Sequence, residues 1–118
     1  MRCMACSLTV DQVLARTKTV TRRRFDTWLG LKPGDHLTLI EKGMGLAKGE
    51  KQVVLDVVEI VSSFLVPLRP MTQAEVDAEG FPDLTPDEFV DFWLVSHGLD
   101  GADPQLTTVR RIEWRYLP

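Results

Sequence analysis

The sequence is poor in the residues from which disulfide staples, metal clusters and membrane spans are built. It has two cysteines and two histidines among 118 residues. Cys3 and Cys6 stand so close together that they would make a poor staple, and a chain of this length can rely on its own core, so no disulfide is expected. Cys3-x-x-Cys6 is half of a zinc pattern. Its completion would need His36 and His97 from distant parts of the chain, whereas structural zinc prefers paired ligands at tight spacing, so neither metal nor cofactor is expected. The histidines read instead as a strand residue and a helix C-terminal residue, where an imidazole complements the dipole. No stretch approaches the roughly 20 apolar residues of a membrane span, and the start Met1 to Cys6 lacks the apolar run of a signal peptide. A soluble, cytoplasmic protein is the expectation. There is no low-complexity tract or acidic tail, and 44% apolar with 26% charged residues is a globular composition, which excludes disorder. The length fits one domain over residues 1–118.

Fourteen Lys+Arg against seventeen Asp+Glu leave a net charge of -3, which argues against coating long duplex DNA but not against a nucleotide or a short RNA segment. On this acidic background the run Lys18-Thr19-Val20-Thr21-Arg22-Arg23-Arg24 stands out. Its continuous positive charge, with two hydroxyls interleaved, points to a partner that carries phosphate or another anion. Strict alternation puts Thr19, Thr21 and Arg23 on one face of a strand and Val20 and Arg22 on the other.

The remaining segments read as scaffold. Arg2 to Leu8 predicts a short first strand with the cysteines as small hydrophobes. Thr9-Val10-Asp11-Gln12 matches a capping box that opens a short helix striped by Val10, Val13 and Leu14. Lys32-Pro33-Gly34-Asp35 suits a type II turn leading into a strand over His36 to Glu41. Lys42 to Lys51, rich in glycine and lysine, predicts a mobile connection. Gln52 to Ser62 carries apolar residues on both faces, Val53, Leu55, Val57 and Val61 opposite Val54, Val58 and Ile60, and so predicts a central strand. Pro67 and Pro70 predict that Phe64 to Pro70 leaves the ladder. Thr72-Gln73-Ala74-Glu75 and Thr85-Pro86-Asp87-Glu88 are two further capping boxes. The first helix should stop at Gly80, and the second should bury Phe89, Phe92 and Trp93 and end at Gly98. Thr107 to Leu117 alternates as a closing strand, with Trp114 and Tyr116 as wall. With no βαβ rhythm, the order implies an α+β fold: a small, mostly antiparallel β-barrel with flanking short helices.

The run Val13 to Arg23, followed by Leu31-Lys32-Pro33-Gly34-Asp35, resembles the ASCH domain, a PUA-like β-barrel family whose pattern is Gly-x-Lys-x-x-(Glu or Thr)-x-Arg. Lys18, Thr21 and Arg23 fall on its lysine, its acidic or hydroxyl position and its arginine. Arg16 replaces its glycine, at a cost on the order of 1 kcal/mol if that backbone position needs positive φ. Ala78-Glu79-Gly80-Phe81 looks like the family's acidic segment. Threonine at position 21 is shared with the branch that hydrolyses 4-N-acetylcytidine. The resemblance therefore implies Thr21 as nucleophile, Lys18 as its base and Glu79 as the acid, in a metal-free amidohydrolase acting on a nucleoside or modified base. Glu75 and Asp77 are alternatives to Glu79. Lysine can act as a base only if burial or nearby cations lower its pKa, and Arg22, Arg23 and Arg24 supply such cations. Arg23 could also stabilise an oxyanion. Trp28 is core, rim or a stacking platform for a base. The rival expectations are a non-catalytic module binding RNA or modified nucleotides, and a metal-independent ribonuclease.

Overall fold

The computed structural model describes residues 2–43 and 46–118. Its elements are β1 (Cys3–Ala5), α1 (Val10–Leu14), β2 (Val20–Arg24), β3 (His36–Ile40), β4 (Val54–Pro67), α2 (Gln73–Glu79), α3 (Pro86–Ser96) and β5 (Thr108–Tyr116). One sheet of five strands runs in the order β1-β3-β4-β5-β2, with β4 at its centre. All neighbours are antiparallel except β1 and β3, which are parallel. The sheet curls into a half-barrel whose two edge strands, β1 and β2, leave a seam. Across it the Arg23 guanidinium donates to the Ala5 carbonyl at 2.8 Å.

Strand β5 explains why there are two cores rather than one. Ile112 and Trp114 on one of its faces join Met4, Val13, Leu37, Leu39, Val58 and Ile60 inside the barrel. Val109 on the other face joins Leu68, Val76, Phe89, Trp93 and Leu94 under α2 and α3. Period-2 alternation lets one strand serve both. Each buried Leu, Ile or Phe side chain contributes roughly 1.5–3 kcal/mol.

Four expectations need correction. β1 is only three residues long. β4 does not end near Ser62 but pairs with β5 as far as Pro67, opposite Thr108. A register shift between Ile60 and Ser62 leaves Val61 exposed and breaks the simple face assignment. Pro67 is tolerated because it sits at the last ladder position. The Thr9 box does not form: Thr9 makes no side-chain cap, and its backbone at φ -132° and ψ 34° is not the extended conformation of a capping residue. Gly80 stops α2 as expected, in the left-handed conformation at φ 96°. Thr85 makes the full reciprocal box with Glu88. Met44 and Gly45, in the connection expected to be mobile, lie outside the described residues.

Thr72 caps α2, but its partner Glu75 is engaged elsewhere. The Glu75 carboxylate accepts from Arg22 at 2.6 Å and from Arg111 at 2.7 and 3.0 Å. Arg22 and Arg111 are cross-strand neighbours on β2 and β5, so one carboxylate fastens α2 to both strands and offsets two like charges standing opposite each other. The guanidiniums hold the Glu75 carboxyl at about 2, below its ordinary 4.5. Its pairing therefore stabilises the fold fully above pH 4.5 and less as pH falls towards 2. Glu75→Gln is expected to cost about 1–3 kcal/mol near neutral pH. In urea denaturation the gap from wild type should close as pH drops through that window; a gap independent of pH would contradict the assignment.

Candidate functional site

A cavity of about 260 Å³ opens at the seam, between the segment that follows β1, the face of β2 and the helices α2 and α3. Its polar floor brings together Lys18, Thr21, Arg22, Arg23 and Glu79. Opposite stands a wall of Phe81, Phe89, Phe92 and Trp93, with His97 beside it. Ser7, Leu8 and Ser96, the exposed lining residues, mark the mouth.

Lys18 is 3% exposed, just before β2 begins. Its carbonyl accepts from Trp114 Nε1 at 3.0 Å and from the Tyr116 hydroxyl, and the Thr19 amide donates to Ala78 at 2.9 Å. These bonds fix the backbone so that the amine points between β2 and α2. There it donates to the Glu79 carbonyl, with Glu79 Oε1 at 3.8 Å. Burial pulls the Lys18 pKa below the ordinary lysine value, and the Glu79 carboxylate opposes that shift. Glu79, also 3% exposed, accepts from Arg22 Nη1 at 2.9 Å through Oε2. The Thr21 hydroxyl accepts from Arg23 Nε at 3.3 Å. No hydrogen bond joins Lys18 to Thr21 among the described residues.

The three arginines divide. Arg22 is buried and paired through its two terminal nitrogens with Glu75 and Glu79, while its Nε has no hydrogen-bond partner among the described residues; its charge is already balanced, so it is a structural counter-charge rather than the free anion contact expected of it. Its backbone carbonyl accepts from Trp93 Nε1 at 3.0 Å. Arg23 lines the cavity and has only neutral partners among the described residues, Thr21 and the Ala5 carbonyl. Arg24 points away from this cavity and lines a second one. Trp28 also lies outside it: held at φ 56°, it packs on the barrel core under Arg2, because the chain turns away from the seam after β2.

Arg16 adopts φ 60°, so the position where the family pattern has glycine does require the left-handed conformation. Its guanidinium offsets part of that cost by bonding Asp56 at 3.1 Å and the Leu117 carbonyl at 3.0 Å.

Reasoning from the sequence missed the aromatic wall, Cys6 and His97. Phe89, Phe92 and Trp93 were legible as a buried helix face, but that face covers a cavity as well as a core. His97 stacks on Trp93 at 3.8 Å. Its Nδ1 lies 2.7 Å from the Trp93 carbonyl, which can only accept, so the proton sits on Nδ1. Cys6 lines the cavity too, with its thiol pushed up by burial against the opposing pull of Lys18 and Arg23. Among the described residues no group of three or more His, Cys, Asp or Glu could hold a metal ion, and no helix is long and apolar enough to cross a membrane.

No family model matches the chain, and no curated protein matches it. Solved structures share its fold, among them the following two. A protein of Enterococcus faecalis V583 described by the family model DUF984 superposes with a TM-score of 0.58 at 13% identity, covering 94% of this chain and 71% of that one. An ASCH domain from Lactobacillus crispatus JV V101 gives a TM-score of 0.58 at 12% identity, covering 92% and 70%. The chain therefore has an ASCH-like, PUA-like α+β fold.

The site makes a prediction about Lys18. In an NMR titration its amine should lose its proton below 10.5, and Glu79→Gln should lower that point further by removing the main opposing charge. Titration at or above the ordinary value would show that the amine is not desolvated.

Proposed function

We propose that the cavity binds a nucleoside or modified base and hydrolyses an N-acyl amide on it, of the kind found in 4-N-acetylcytidine. The observation that carries this reading is the pairing, within one small cavity, of a cluster of aromatic rings tilted about 50° to one another with a floor that holds a buried amine, a hydroxyl and a guanidinium whose hydrogen-bond partners among the described residues are neutral. The wall suits a planar heterocycle, and the volume suits one base with its sugar rather than a longer ligand.

In this reading each group takes a step. Lys18, deprotonated more readily because it is desolvated, takes the proton of the Thr21 hydroxyl, and Thr21 Oγ adds to the acyl carbonyl carbon. Arg23, already donating to Oγ, faces the oxygen on which negative charge develops. When the C–N bond breaks, the leaving amine recovers a proton from the Lys18 ammonium. Water then adds to the threonine ester, releasing the acid and restoring the hydroxyl. Glu79 is the counter-charge that steadies Lys18 through the cycle. Its bond to Arg22 makes this role fit better than direct proton donation.

A second reading, a non-catalytic binder of the same ligands, is favoured by one feature: the Lys18 amine is engaged with Glu79 rather than with Thr21. Incubation with 4-N-acetylcytidine separates the two. Wild type should release cytidine and acetate. Thr21→Ala should lose at least about 10³-fold in rate while still binding cytidine, and Arg23→Ala should lose about 10²–10³-fold and bind less well. Binding without release of cytidine by wild type would leave only the second reading.

A further inference from the structure

A second cavity of about 220 Å³ lies on the far side of Trp93, lined by Arg24, Phe25, Trp93, Leu99, Thr107 and Thr108. Among the described residues Trp93 alone lines both cavities, and its indole Nε1 donates to the Arg22 carbonyl. The arginine run is thus split across this partition, Arg23 in the first cavity and Arg24 in the second. Phe25 is 51% exposed. Among the described residues the Arg24 side chain has one partner, a solvent-exposed pair with Asp26, which is worth little against a phosphate.

An aromatic platform, an available cation and nearby hydroxyls, with no fixed set of donors that would read one base edge, are what a single-stranded nucleic acid chain needs for sequence-tolerant contact. An extended peptide is a poorer fit, because the Trp93 indole already occupies the β2 carbonyl at Arg22, where a strand would have to pair. A lone nucleoside in the first cavity would leave the second one unused. We infer that the second cavity is the subsite for a flanking nucleotide, so that the ligand is single-stranded nucleic acid with its modified base in the first cavity and its neighbour against Phe25 and Arg24. This rests on the reading of the first cavity as a nucleoside site.

Binding of unmodified cytidine and of labelled hexacytidylate to the wild-type protein tests the subsite without depending on catalysis. Hexacytidylate should bind at least ten-fold more tightly at low salt. Phe25→Ala should weaken it about 5- to 100-fold and leave cytidine within two-fold. Arg24→Gln should do the same and flatten the dependence of log affinity on log salt by about 0.7. Hexacytidylate binding no tighter than cytidine, or variants that weaken both ligands alike or neither, would overturn the subsite, even if acetylcytidine is hydrolysed. Selective loss of hexacytidylate in a protein that does not hydrolyse acetylcytidine would keep the subsite and remove the catalytic reading.

Discussion

A lysine amine sealed from water needs acceptors for its protons and a charge to balance its own, and Lys18 finds both only where β2, β5 and α2 meet. Its carbonyl is gripped by Trp114 and Tyr116, and its amine by the backbone and carboxylate of Glu79. Removing one partner from such a buried pair typically costs 3–5 kcal/mol. Glu79 must therefore stay where it is, and much of the surrounding architecture holds it there. Gly80 ends α2 directly after it, Arg22 takes its second oxygen, and Glu75, one turn earlier, anchors the helix to both strands.

The same arrangement explains why the cavity lies at the seam. An unclosed sheet exposes edge groups that a closed barrel would pair. Here one edge is bridged by the Arg23 side chain and the other is covered by the Trp93 indole. The space between them is floored by strand side chains and walled by aromatics, so charge and apolar surface meet over a short distance. The ASCH-like fold supplies the seam; the chemistry depends on the particular residues that line it.

How much of this was legible in the sequence depended on how local the cause was. Thr21 and Arg23 share a face because strand periodicity is a property of neighbouring residues, and the Pro33-Gly34 turn and the Thr85 cap are equally local. The division of labour among Arg22, Arg23 and Arg24 is not local: it is set by carboxylates on α2, more than fifty residues away. Thr9 takes a backbone conformation that does not suit a cap, and β4 runs on through Phe64 because β5 supplies partners that no short window reveals. Of the readings open for Trp28, the packing on the barrel core holds and the stacking platform in this cavity does not, because the turn at φ 56° carries it away from the seam.

The most direct test is a crystal structure of the Thr21→Ala protein with 4-N-acetylcytidine bound. The account predicts the base lying against the Trp93 and Phe81 wall, with its acyl oxygen at hydrogen-bond distance, ~3 Å, from the Arg23 guanidinium and its carbonyl carbon turned towards position 21. A ligand seated on any other surface, or one in this cavity with its acyl group directed out past Ser7 and Ser96, would contradict it.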